Sequence, residues 1–125
     1  QTTTNNATEG SASAGDTIGV FDVDDEETAD ADLTVSISDT TNYAISYNNA
    51  GTATVTLTAT GASTVNAGND LPSYTVTVSD DDSTPRTATS THDPSVTTSN
   101  DAPTISQTTT NNATEGSAKI GRAHV

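Results

Sequence analysis

The residues with the most chemical capacity in this sequence are its acids, and they are unevenly spread. Seventeen Asp and Glu stand against three Lys and Arg, for a formal net charge of −14. No acid occurs in residues 40–69, whereas seven fall in "DVDDEETADAD" (residues 22–32) and three in "SDDDS" (residues 79–83). Crowding them is costly, because two unit charges about 4 Å apart interact by about 4 kcal/mol at an effective dielectric of about 20. A hard divalent cation turns that repulsion into binding, and Ca²⁺ accepts about 6–8 oxygens at about 2.3–2.6 Å. With no Cys and only His92 and His124, the chain offers zinc or copper little. An EF-hand is excluded, since "DVDDEETADAD" lacks the Gly at its sixth place and a Glu at the twelfth. The competing reading is a solvated acidic surface suited to a salty medium. Paired carboxylates also serve glycosidases, but Trp is absent and no polar pocket is suggested, so no enzyme is expected.

The elements that must position these acids are strands. In "TATVTLTAT", Ala53, Val55, Leu57 and Ala59 alternate with Thr52, Thr54, Thr56, Thr58 and Thr60, the period-2 signature of a half-buried strand. "LTVSIS" turns Leu33, Val35 and Ile37 inward, "YAISY" turns Tyr43, Ile45 and Tyr47, and "YTVTV" turns Tyr74, Val76 and Val78. "TIGVFDV" adds Ile18, Val20 and either Phe21 or Val23, with Gly19 at a bulge, and "SVTTS" around Val96 supplies the last strand. No segment of useful length has a helical period. Turn clusters such as "SDTTN", "NAGND" and "HDPS" separate the runs. Six or seven short strands in about 100 residues predict an all-β fold, an immunoglobulin-like antiparallel β-sandwich. Residues 22–32 then join the second strand to the third, and "SDDDSTP" (residues 79–85) joins the last two. Both connections fall at the end where the N-terminus enters, and Glu9, Asp70 and Asp101 at the opposite end.

The acidic balance argues against nucleic acid and anionic membranes, which select Lys and Arg surfaces. No apolar run approaches the about 20 residues of a membrane span. No signal-peptide pattern is visible, which fits an internal fragment or an export route without one. Leu, Ile, Val and Phe make 18 of 125 residues, about 14 %, and a share below about 20 % with high charge is the composition of disorder. The strand pattern contradicts that composition. A core so thin needs support from elsewhere, and bound cations would provide it.

The order of these features resembles cadherin repeats and their bacterial relatives. The matching residues are Glu9 in "TEG", Asp22 and Asp24 in "DVD", and Asp70 ahead of "YTVTV". Asp80 and Asp82 in "DDDSTP", then Asn100 and Asp101 in "NDAP", complete the set. The resemblance implies that these residues ligate Ca²⁺, and leaves open whether Asp22 with Asp24 or Asp24 with Glu26 is the pair. The Thr- and Asp-rich, Cys-free texture is most similar to extender modules of giant bacterial repeats-in-toxin adhesins, including ice-binding ones. That family implies tandem sandwiches made rigid by Ca²⁺ at their linkers. It also implies the surface of a Gram-negative cell, type I secretion and adjacent copies as partners. No small-molecule substrate, nucleic acid or membrane contact is expected of the module itself.

"QTTTNNATEGSA" occurs twice, at residues 1–12 and 107–118, and 107 − 1 gives a period of 106 residues. This is the size of one sandwich with its linker. The expected organisation is a sandwich over residues 1–99, with strand A cut short at its start, and a Ca²⁺-binding linker at 100–103. The first strand of the next repeat follows at 104–118, with Glu115 the ligand counterpart of Glu9. Residues 119–125, "KIGRAHV", read as an expression-derived tail. The alternative is a domain that itself binds sugar, peptide or ice. A single Thr-x-Thr strand is too little for an ice-binding face, which needs several ranks in register. The "NAT" sequons at Asn6 and Asn112 read as turns, and His92 as a loop residue.

Overall fold

Alternating apolar and hydroxyl residues build the strands, because a pleated chain sends successive side chains to opposite faces. The computed structural model describes residues 3–4, 6–99, 102–113 and 115. Its strands are β1 (Thr3–Thr4), β2 (Ala7–Thr8), β3 (Thr17–Asp22), β4 (Thr34–Ile37) and β5 (Tyr43–Tyr47). They continue with β6 (Thr52–Leu57), β7 (Tyr74–Ser79), β8 (Thr87–His92) and β9 (Val96–Thr97). An antiparallel sheet runs β1-β3-β6-β5, a second runs β4-β7-β8, and β2 pairs with β9. The fold is all-β with antiparallel sheets, as the alternation predicts. Among the described residues no helix is long and apolar enough to cross a membrane.

The two larger sheets share one core. Phe21, Tyr43, Val55 and Leu57 of the first meet Tyr74 and Val76 of the second, with Val35, Ile37 and Ile45 packed around them. Three aromatic rings carry much of that small interior. Tyr74 lies 4.7 Å from Tyr43 and 6.2 Å edge-on from Phe21, centroid to centroid. Such pairs contribute about 0.5–1.5 kcal/mol beyond the area they bury. The β3–β6 register slips between Thr17 and Gly19, so the expected bulge at Gly19 is present. After it Phe21 and Val23 are buried and Val20 is half-buried.

Three elements differ from the sequence reading. The alternation of "TATVTLTAT" carries the strand to Thr60, but β6 stops at Leu57 and a helix, α1 (Ala59–Asn66), follows. Thr58 is the cause, because its Oγ1 accepts the Gly61 N–H at 3.1 Å and caps the helix. Second, "TATSTH" forms β8, a strand without apolar alternation because almost all of it is exposed. His92 is thus the last residue of that strand and not a loop residue. Its ring stands edge-on to Tyr74 with centroids 5.6 Å apart. Third, the strand at Val96 pairs with β2 in parallel, not antiparallel. The chain leaves β1 beside β3 and enters β2 beside β9, so it passes from one pairing edge to another.

The tyrosine hydroxyls make a test of this core. Tyr43 Oη donates to Pro72 O, whereas the buried Tyr74 Oη has no partner among the described residues. A buried unmet hydroxyl costs about 1–3 kcal/mol, and a net hydrogen bond contributes about 1 kcal/mol. Tyr74→Phe is therefore expected to leave the urea midpoint unchanged or higher, and Tyr43→Phe to lower it by the equivalent of about 1 kcal/mol. Equal losses in the two variants would contradict the packing described.

Candidate functional site

Residues 23–33 connect β3 to β4, and residues 80–86 connect β7 to β8, so both acidic runs arrive at one end of the molecule. Asp24, Asp25, Glu26, Glu27, Asp80 and Asp82 line one open cavity of about 470 Å³, with Arg86 the cation among them. Thr28, itself buried, ties the two connections by donating from Oγ1 to Asp81 Oδ1 at 3.3 Å. The loops are shaped by their own carboxylates. Asp25 Oδ1 accepts the N–H groups of Glu27 and Thr28, each at 2.8 Å. Asp80 Oδ1 accepts those of Arg86 at 3.0 Å and Asp82 at 3.3 Å, closing the β7–β8 loop. Asx geometry of this kind lets Asp replace a backbone turn partner. Further round, Tyr47 Oη donates to Asp30 O at 2.6 Å and holds the single turn at Asp30–Asp32.

Of the expected ligands here, Asp24, Glu26, Asp80 and Asp82 share the cavity. Asp22 and Asp24 instead share an adjoining groove that leads toward Val76. Among the described residues no group of three or more His, Asp or Glu side chains is arranged to hold a metal ion. The carboxylates thus line a common space without converging on one point. As donors they are hard oxygens throughout, with no thiol, and that set fits Ca²⁺ better than zinc or copper.

At the opposite end Glu9 occupies the β2–β3 connection. Its Oε2 takes a hydrogen bond from Ser99 Oγ at 3.1 Å, and its Oε1 one from Ser99 N at 3.4 Å. A Cβ added to Gly68 would stand 3.0 Å from Glu9 Oε1, so the turn after α1 passes close by. Glu9 therefore lies between the turn that leads to exposed Asp70 and the segment that leads to Asn100 and Asp101. Those last two residues fall outside the described residues. Glu115 is exposed, and residues 102–113 adopt no strand or helix.

Asn66 was not singled out by the sequence, yet it organises this end. Its Oδ1 accepts Gly10 N–H at 2.9 Å and Ala12 N–H at 3.1 Å, and its Nδ2 donates to Ala12 O at 2.9 Å. The signal was hidden because Asn66 acts from the last position of α1, which the alternation conceals.

Two carboxyl groups carry a pH dependence. Backbone N–H donors from Glu27 and Thr28 hold Asp25 below its ordinary range. The Asn42 side chain, with the N–H groups of Asn42 and Thr41, does the same for Asp39. A folded-state pKa below the unfolded one adds stability that is complete above about pH 5 and lost progressively as pH falls further. Acid titration followed by circular dichroism should show that loss, and Asp39→Asn should flatten it while lowering stability at neutral pH. An unchanged acid limb in Asp39→Asn would rule out this role.

Neither protein-family models nor curated proteins give a match to this chain. The fold and its two acidic ends define its class on their own: an all-β chain with antiparallel sheets, which carries its carboxylates at opposite ends.

Proposed function

We propose that this chain is a structural extender module of a tandem-repeat bacterial surface adhesin, an immunoglobulin-like sandwich that binds Ca²⁺ at its ends and linker. One observation carries the reading. Two acidic connections far apart in sequence share a cavity at one end of a chain whose first twelve residues recur after 106. The strand order β1-β3-β6-β5 over β4-β7-β8 supports the immunoglobulin-like part.

When bound, Ca²⁺ supplies a hard centre that replaces carboxylate repulsion with coordination. Asp24, Glu26, Asp80 and Asp82, with Asp22 beside them, are the side chains that would hold it at one end. Glu9, Asp70, Asn100 and Asp101 would do so at the other, and Glu115 would repeat the role of Glu9 in the next copy. Adjacent copies are then the partners, and the rigid array projects a ligand-binding region from a Gram-negative cell after type I secretion. The module performs no catalysis in this reading. Thermal melts with and without EDTA test it, with unchanged melting as the outcome against it.

A second reading, a domain that itself binds sugar, peptide or ice, gains one observation. Thr75 and Thr91 are paired across β7 and β8 with their hydroxyls 2.9 Å apart. Thr77 stands opposite both Thr89 and Ser36, and Ser79 opposite Thr87 and Thr34. Alternation puts these hydroxyls on the sheet face opposite Val76. Retention on glycan arrays or in growing ice would favour this reading, and absence from both would leave the spacer.

A further inference from the structure

The outer face of the β4-β7-β8 sheet carries a hydroxyl at each paired position. Thr34 stands opposite Ser79 and Ser79 opposite Thr87, and the next rank across the sheet is Ser36, Thr77 and Thr89. A third rank joins Thr91 and Thr75 to Ser38, whose N–H bonds Thr75 O at 3.0 Å. The outer members of each rank are exposed and the central ones, on β7, half-buried. A Thr-rich composition does not by itself produce such a face. Outside the other large sheet, Thr54 stands opposite Val20, Thr52 opposite Asp22 and Thr56 opposite Ala44.

None of the residues in these ranks is charged, in a chain of formal net charge −14. Ionic groups begin beyond the strand ends, at Asp32, Asp39, Asp80, Arg86 and Asp93. Thr75 and Thr91 share a hydrogen bond, and the hydroxyls of Thr34 and Ser79 donate to Ser79 O and Asp80 O. Among the described residues, the hydroxyls of Ser36, Thr77, Thr87 and Thr89 have no protein partner. Positions on such a face recur about every 4.8 Å across the strands and about every 6.8 Å along them.

A partner for this face must both give and take hydrogen bonds, as each hydroxyl does. Polyanions are repelled by the net charge, and a cationic partner finds no carboxylate among the ranks. A peptide strand pairs with a sheet edge and not with a face. Adjacent strands are rotated by about 20–25°, so a rigid plane such as ice meets the three strands unevenly, whereas a flexible chain follows them. The step of about 4.8 Å between strands is close to the length of one sugar in an extended β-1,4-linked chain. We propose that this face binds a neutral β-1,4-linked glucan laid across the three strands, centred on Ser36, Thr77 and Thr89. With no aromatic residue in the ranks, hydrogen bonds supply the specificity, and their small net gain keeps the affinity millimolar. The inference rests on the second reading above and holds whether or not the ends bind Ca²⁺.

Cellohexaose titrated into the isotope-labelled intact chain should shift the amide resonances of these ranks at millimolar concentration, whereas an alginate oligomer of equal length should not. Thr77→Val and Thr89→Val together should weaken the binding about 10-fold, with circular dichroism unchanged because Val is also β-branched. Thr54→Val, on the other sheet, should bind like the parent. No shift with cellohexaose at tens of millimolar overturns the proposal, and so does undiminished binding in the chain with both Thr77→Val and Thr89→Val. After either result, retention on other glycans or in growing ice keeps the second reading alone, and retention on none of them removes both.

Discussion

Gly61→Ala should lower the melting temperature by about 10–20 °C, as expected for a net loss of about 2–3 kcal/mol in a domain of this size. The prediction runs against helix propensity, which favours Ala over Gly by about 1 kcal/mol inside a helix. Space decides the sign. A Cβ on Gly61 would stand 2.2 Å from Asn42 O and 3.1 Å from a Leu57 methyl. Asn42 O is a backbone atom fixed on both sides: it accepts Thr58 N–H at 3.0 Å, and Asp39 grips the Asn42 side chain and N–H. Neither can withdraw without opening the turn that starts α1. Overpacking costs about 1–3 kcal/mol and sometimes more. A 2.2 Å approach to fixed backbone stands at or above the top of that range, about 3–4 kcal/mol, and the propensity gain of about 1 kcal/mol leaves the net loss. A variant as stable as the parent in differential scanning calorimetry would mean that α1 does not lie this close to the turn at Asn42.

Removal of Ca²⁺ should have an effect of similar or greater size. A ligand that binds only the folded state adds about 2.7 kcal/mol per site at a hundredfold excess over its dissociation constant. In a domain of this size that is about 10–20 °C of melting temperature for each site. The core makes a smaller contribution than usual, resting on one Phe, three Tyr and few large aliphatics. Chelation would therefore remove a large share of the total stability. EDTA should depress melting in the intact chain, and a multi-repeat protein should become more compact on average in small-angle scattering. Melting and dimensions that ignore EDTA would sink the proposal that the acidic ends are cation sites.

The strands that were legible from the sequence are those whose burial alternates. Ala53, Val55 and Leu57 are almost wholly buried while the threonines between them are half-exposed, and this is the pattern that period-2 reading detects. β8 was missed because its inward positions hold Ala88 and Ser90 in place of large apolar residues. The helix escaped for a related reason: only Gly61, Ala62 and Val65 are buried in it, too few and too small to give a period. The meeting of residues 24–27 with residues 80–82 could be read in advance, since it follows from which strands the connections join. The hold of Asn66 on Gly10 and Ala12 could not, since it depends on where an unrecognised helix ends.

The pairing of β2 with β9 sets how this chain would carry tension. The two strands lie near opposite ends of the sequence and run in the same direction, joined through Ala7 N to Ser95 O and Glu9 N to Thr97 O. A pull that draws the flanking segments apart slides these strands past each other, so both bonds are loaded together instead of opening in turn. Glu9, clasping Ser99 just beyond them, sits in the same line of force. The acidic residue that closes one end of the fold is thus also part of its latch.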